Sequence, residues 1–417
     1  MASLPDANQG EFRLGMLFYD TRYRSLTIQV IFFMLFMAGA AWLVNNVIEN
    51  LRILGKDFDF GFLTVRAGYD INQRLVEYSN DSTHARAMLI GLLNTLLLAF
   101  LACITATIVG ILAGVLRLSK NWVVARLMTL YVETFRNVPL LLWILLVNAI
   151  MTESMPSPRD FRGADATASM MLNDSVAVTN RGIYVPEPLF TNSLGNIDIG
   201  IFLISIDLLA VLAAVYLGIY LNRAVLRRAT RIQHETGVRP TTWWQSVLLI
   251  AGIPLVLLAL LGFHLGYPEM KGFNFSGGIH LRNSLIAMWI ALTLYTGAFI
   301  AEIVRAGILA ISRGQSEASF ALGMQPGRTM QLVVLPQALR VIIPPLISQY
   351  LNITKNTSLA LAVGYMDLRS TLGGTTINVT GRELEGMMLM MLVYLVISLI
   401  ISGAMNFYNT RVQLRSR

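Results

Sequence analysis

Several groups of polar residues stand inside or beside long apolar stretches, where such residues are costly unless they have work to do. Glu302 and Arg305 lie three apart in LYTGAFIAEIVRAGILAIS and would share one face of a helix. Two readings are open. The two are a mutually compensating ion pair packed against a neighbour, or Glu302 partners a substrate ammonium or a gate, because an ionisable group inside a span is a functional candidate. Tyr295 and Thr296 lie about two turns earlier, beside Gly297. Their hydroxyls could line a pore, or the glycine could simply admit a close helix neighbour. The segment YLNITKNTS carries Asn352, Lys355, Asn356, Thr357 and Ser358, too much polarity to face lipid. Lys355 suits a carboxylate, and the amides and hydroxyls suit both charged groups of a zwitterion; the alternative is an external cap. Asn94 and Thr95, in GLLNTLLLAF, form a helix–helix hydrogen bond or line a pore.

A further group has no chemistry of its own. Residues 314–340 read GQSEASFALGMQPGRTMQLVVLPQALR. Glu317, Ala318 and Ser319 are followed by Leu322, Gly323 and Met324, then by Pro326 and Gly327, then by Leu335-Pro336. The pattern predicts a short helix over 315–324, a turn at Gln325-Pro326-Gly327 and a second helix. Its face of small residues would let another protein come close to the backbone.

These groups need elements to hold them, and composition says which. The 417 residues are 55% hydrophobic and only 13% charged, where soluble domains run near a quarter. Mean hydropathy is +0.60. The apolar blocks have the length of bilayer spans. The expected fold is an all-α polytopic membrane protein with about eight spans: 26–47, 87–117, 138–155, 200–221, 244–264, 284–311, 336–354 and 385–407. Residues 122–136 hold Arg126, Glu133 and Arg136, and are expected at the interface or inside the bundle. The stretch 358–366 is apolar enough to dip back into the bundle. Residues 48–84 and the Asp-, Asn-, Ser-, Gly- and Pro-rich 156–199 read as external segments. Segment 222–243, with Arg223, Arg227, Arg228, Arg231 and Arg239 against Glu235 alone, is the clearest inside loop. Arg52, Lys56, Arg66 and Arg74 run against that rule in the first external segment.

The net charge of +8 therefore sets topology at an anionic membrane surface rather than pointing to nucleic acid. One cysteine, Cys103, excludes a disulfide within the chain; the four histidines are scattered, with no metal-binding spacing. No cleavable signal peptide is expected. No phosphate-binding loop occurs, since Gly55-Lys56 is followed by Asp57, so any ATP hydrolysis belongs to another subunit.

The spacing around Glu317, FRNVPLL at 135–141, YTGAFIAEIVRAGI at 295–308 and KNTSLA at 355–360 resemble the polar amino-acid permeases of bacterial ATP-driven importers. With eight spans, the chain is most similar to the general L-amino-acid group. The resemblance implies the type I ABC importer permease fold over 87–406. It implies a cytoplasmic coupling helix whose residues 317–327 dock on an ATPase, and a substrate path along the second, sixth and seventh spans. It further implies a second, homologous permease, two ATPase subunits that carry the ATP and Mg, and a periplasmic amino-acid-binding protein. This chain would need no cofactor and would perform no catalysis. It would lie in the inner membrane among its lipids, with both termini cytoplasmic. Family members commonly have five spans. Here residues 1–86 (tail, first span and external segment) and an insertion at 152–283 are additional, and 407–417 form a cytoplasmic tail. An ion-coupled carrier would predict an inverted repeat, and none is evident.

Overall fold

The structure is a computed structural model that describes residues 21–53, 58–163, 166–200 and 203–413. The amino-terminal tail, Lys56 and the closing Arg415 and Arg417 lie outside the described residues. The chain divides at Phe62/Leu63 into two compact units. In the first, helix α1 (Thr21–Ile53) is apolar, with no residue of its apolar stretch buried, and extends past the expected span at both ends.

The second unit is built around two long helices, α2 (His84–Leu116) and α7 (Asn283–Leu309). Glycines bring them together. A Cβ at Gly110 would come within 2.5 Å of Ile300 Cβ, and one at Gly114 within 2.6 Å of the Ala301 carbonyl oxygen. This contact seats Leu98, Ala102 and Ala106 against Met288, Leu292 and Ile300 in the main core. Hydroxyls join the helices inside it: Thr105 Oγ1 and Thr293 Oγ1 are 2.6 Å apart, and Trp289 Nε1 donates to Thr105 over 3.1 Å.

Helices α3 (Trp122–Asn137) and α4 (Leu140–Glu153) meet at 107°. Val138 is extended, as a residue before proline should be. At 14 residues α4 is about 21 Å long, too short to cross alone. The span expected at 138–155 is therefore half of a bent pair. Counting that pair once, eight crossings are possible among the described residues; seven helices qualify singly.

Two departures from expectation concern the insertion. Helix α5 (Ile206–Thr236) continues through residues 222–236, expected as loop, and ends where Gly237 takes φ +76°. It pairs with α6 (Trp243–Leu260). Residues 156–199, expected as an external loop, and 263–282 are not plain loops. Strands β1 (Ala177–Thr179), β2 (Gly182–Val185) and β9 (Ile279–Arg282) form an antiparallel sheet, and β3 (Glu187–Phe190) pairs with β6 (Phe263–Gly266). Two small hairpin pairs complete the strands: β4 (Asn196–Asp198) with β5 (Leu203–Ser205), and β7 (Glu269–Lys271) with β8 (Asn274–Ser276).

His280 stacks on Tyr184 at 4.2 Å, with its Nε2 3.1 Å from the Arg181 carbonyl oxygen. Burial lowers its pKa, the Arg181 hydrogen bond opposes that shift, and the Arg282 charge adds to it. The sheet therefore favours neutral His280. That contribution is complete above the ordinary histidine pKa near 6.5 and is lost as pH falls through the lower folded value. Amide exchange in β2 is expected to accelerate between pH 7 and pH 5 beyond its intrinsic pH dependence. His280→Phe should abolish that excess; an unchanged excess in the variant refutes the assignment.

Helix α8 (Arg313–Ala321) follows α7, and the long segment α9 (Pro326–Val363) follows α8. A π-helical turn at Met330–Val334 precedes Pro336. It widens the helix where the proline ring would otherwise meet the Leu332 carbonyl. The same device, at Leu248–Gly252, precedes Pro254 in α6. The end of α9, Thr357–Val363, is 3-10 helical, and α10 (residues 368–380) is a short broken helical stretch packed on α2. Helix α11 (Glu383–Gln413) closes the described chain.

Candidate functional site

Asn94 and Thr95 hold the returning segment. The Asn94 amide donates to the Gln73 and Met366 carbonyls at 2.8 and 2.9 Å. Thr95 Oγ1 accepts from the Leu368 amide at 3.0 Å, and the Tyr365 hydroxyl donates to the Asn94 carbonyl at 2.9 Å. Both side chains are fully buried. One turn before them, Gly91 touches the same segment. A Cβ there would overlap Thr371 Oγ1 and come within 2.9 Å of the Asp367 carbonyl oxygen. Gly91→Ala is expected to cost about 1–3 kcal/mol of stability by overpacking, read as a lower thermal midpoint of the purified protein; an unchanged midpoint would show that the two segments are not in contact.

Asp367, which the sequence did not single out, organises this return. It is buried, and its carboxylate accepts from the Ser370 amide at 2.9 Å, the Ser370 hydroxyl at 2.8 Å and the Tyr394 hydroxyl at 3.3 Å. The signal was there in retrospect: aspartate is a favoured first cap of a helix, and Asp367 caps the Ser370 amide.

The other polar group contrasts with it. Asn352, Lys355 and Asn356 lie at helix spacing on α9, and Asn352 and Lys355 are exposed. Among the described residues none of these three side chains has a hydrogen-bond or ion-pair partner. Ser358 caps its own turn, donating to the Lys355 carbonyl at 2.7 Å. Thr296 is buried on α7, and Tyr295 packs on Phe299 with ring centres 5.1 Å apart.

Glu302 is shared by more than Arg305. Arg305 donates to it at 2.7 Å, Arg117 from the end of α2 bonds its other oxygen, and Arg136 of α3 approaches to 3.7 Å. Glu133 stands 3.8 Å from Arg117, and Arg136 also lies over the Phe299 ring. One carboxylate thus joins α2, α3 and α7 at the end nearest α8. Arg117 and Arg136 were visible in the sequence as charges at the ends of apolar stretches, but only the fold brings them to Glu302.

On α8, Glu317 and Ala318 are exposed, whereas Ser319 turns inward and donates to the Gln315 carbonyl at 2.7 Å. Leu322, 83% exposed, and the half-exposed Phe320 project outward. Gly323 has φ +75°, with its amide bonded to the Phe320 carbonyl and the Met324 amide to the Ser319 carbonyl. This is the paired hydrogen-bond ending that favours glycine. The turn therefore lies at Leu322-Gly323-Met324. Pro326 and Gly327, expected in the turn, are the first residues of α9, where proline needs no donor. No cluster of three or more metal-ligand side chains occurs among the described residues.

The family described as "binding-protein-dependent transport system inner membrane component" matches residues 242–414, which include all of α6, α7, α8, α9 and α11. Over 100% of both chains, the protein is 58% identical to the glutamate/glutamine/aspartate/asparagine transport system permease protein BztB of Rhodobacter capsulatus. The chain belongs to this family of inner-membrane permeases. The permease is also 41% identical to the general L-amino acid transport system permease protein AapQ of Rhizobium johnstonii, over 97% of this chain and 96% of the relative. It is 40% identical to the putative amino-acid ABC transporter permease protein YhdX of Escherichia coli, over 96% and 97%. Segments 1–86 and 152–283, expected as additions, fall within the stretch aligned to BztB. The permease is a multi-pass inner-membrane protein.

Proposed function

We propose that the permease is one half of an ATP-driven, binding-protein-dependent amino-acid importer, with acidic amino acids and their amides as its narrower substrate class. The observation that carries the coupling is α8. It is a short helix with two exposed apolar side chains, Phe320 and Leu322, joined directly to α7 and closely to α9. A partner ATPase, bearing the ATP and Mg, grips α8 around Glu317, Ala318 and Leu322 to Gly327. Closure of the paired ATPases moves α8, and α7 and α9 tilt with it between inward-facing and outward-facing states. A homologous second permease completes the path, and a periplasmic binding protein delivers the amino acid. Both termini lie in the cytoplasm. The transporter core is residues 87–406, flanked by the 1–86 and 407–417 segments.

Along the path, the unpartnered Asn352, Lys355 and Asn356 receive the amino acid, with Lys355 on a carboxylate. Asn94, Thr95 and Ser358 keep the receiving segment in place, while Tyr295, Thr296 and Glu302 stand along α7. A hydrogen bond to a charged group contributes about 1.5–3 kcal/mol. Lys355→Gln should therefore raise the uptake KM by about tenfold or more at normal expression; an unchanged KM removes Lys355 from the path.

The reading is tested by ATP hydrolysis of the complex purified through this chain, in lipid, with and without a binding protein loaded with mixed amino acids. Stimulation by the loaded binding protein supports it. Uptake under an ion gradient alone, with no ATPase co-purifying, replaces it with a secondary carrier.

A further inference from the structure

The α5–α6 hairpin ends in a surface that the transport reading leaves unused. Arg223, Arg227 and Arg231 recur every four residues along α5, so they form one stripe. Arg228 stands beside the stripe and lines a cavity of about 330 Å³ with Val225, Ile232, Thr241, Thr242 and Gln245. All four arginines are exposed, and none lies within ion-pair distance of a carboxylate among the described residues. Four unneutralised guanidinium groups within nine positions repel one another unless an anion gathers them.

The depth of the cavity says which anion. Helix α6 is an internal ruler: its 18 residues measure about 27 Å, close to the thickness of the hydrocarbon core. Its register with α5 is fixed at Gly218, where an added Cβ would overlap the Leu249 carbonyl. Toward the loop from that contact, Thr242 and Gln245 face Arg228 across the cavity. Trp243 and Trp244 are exposed at the same level, the aromatic signature of a membrane–water interface. Arg228 therefore lies at headgroup height, one step beyond the apolar part of α5, on the membrane face that also carries α8.

We infer that this cavity binds the headgroup of an anionic phospholipid in the adjacent leaflet. Arg228 takes the phosphodiester through its two-pronged guanidinium, and Thr241, Thr242 and Gln245 supply further donors. Val225 and Ile232 cover the glycerol end, and the acyl chains run down the exposed apolar sides of the hairpin. The stripe of Arg223, Arg227 and Arg231 selects net negative lipid over zwitterionic lipid, because only the former leaves charge to be neutralised.

The test uses the intact complex, stripped of loosely held lipid. Its thermal unfolding is followed with added phosphatidylglycerol, phosphatidylcholine, glycerophosphoglycerol or inorganic phosphate, and retained lipid is read by native mass spectrometry. Phosphatidylglycerol is expected to stabilise the complex at concentrations about tenfold below phosphatidylcholine. Arg228→Gln, and separately the triple Arg223→Gln/Arg227→Gln/Arg231→Gln change, should each erase that preference without lowering the midpoint in its absence. Equal effects of the two lipids overturn the inference. So does a preference that survives in both variants. If glycerophosphoglycerol or phosphate stabilises as well as the lipid, the cavity is a soluble-anion site and the lipid assignment fails. If the variants keep the lipid preference but shed a partner subunit, the stripe is a protein contact and the assignment also fails.

Discussion

Gly323→Asp is expected to abolish amino-acid uptake while the permease still reaches the membrane and retains its other helices. The reasoning separates two costs. Within the chain, a Cβ at Gly323 meets nothing within 4 Å, so no clash arises. What the chain does bear is a little backbone strain, less than the roughly 1–2 kcal/mol that φ +75° costs an ordinary residue, because aspartate and asparagine both visit the left-handed region. That strain is confined to an exposed turn after α8. The larger cost falls at the proposed docking surface. A carboxylate beside Leu322 would lose its water when a partner covers the turn, and an unpaired polar group so buried costs about 2 kcal/mol or more. That corresponds to roughly thirtyfold weaker docking. Gly323→Asn serves as the control, since asparagine tolerates the left-handed backbone and adds no charge. The measurement is ATPase retention on the purified permease beside uptake in cells. Asn is expected to retain much of both and Asp neither. Full uptake by the Asp variant at normal abundance would remove the turn from the coupling surface.

Glu302→Ala carries the second large effect, and here the loss is of the fold itself. The carboxylate bonds Arg117 and Arg305 and lies near Arg136. Arg117 is only 9% exposed and would be left with Glu133 alone, at 3.8 Å. Breaking a buried pair by removing one partner typically costs about 3–5 kcal/mol, because the remaining charge is stranded. The expected result is a thermal midpoint lowered by several degrees and a lower yield. Glu302→Gln should fall between, keeping a hydrogen-bond acceptor without the charge. The double variant Glu302→Ala/Arg117→Ala should recover part of the loss. If the double variant is as unstable as the sum of its parts, the two residues are not coupled. If Glu302→Ala is stable but uptake fails, Glu302 acts on the path rather than on the packing of α2, α3 and α7.

Much of the helical layout was legible in the sequence because a bilayer span is a long, nearly continuous apolar run. The errors came where local signals competed. Segment 222–236 looked like loop because its arginines end the apolar run. Arginine is nonetheless a good helix former, and the helix continues to the first residue that stops it, Gly237. Residues 322–324 were read as helix and Gln325-Pro326-Gly327 as the turn, because proline at the start of α9 disguised a helix beginning as a helix end; the left-handed Gly323 makes the turn instead. The strands were not legible at all. They are three or four residues long, and β2 pairs with β9 across the whole α5–α6 hairpin. The same distance hid the candidate site's supports. Asn94 meets Met366, and Arg117 meets Glu302, only after the chain has folded.

The pairing of β2 with β9 also bears on how such a chain could have arisen. Val185 stands directly opposite Ile279. Everything between them, the whole α5–α6 hairpin with its smaller strands, leaves the rest of the molecule and re-enters it across the width of one ladder step. A shorter ancestor could have accepted this passenger at a single splice, provided it already had a tight bend there, with no helix of the α2–α7 core displaced. The graft carries its own seam, since β1, β2 and β9 close behind it. The passenger is still tied to its host away from the seam, where Phe275 packs on Phe161 and the Gly200 carbonyl accepts from Arg86.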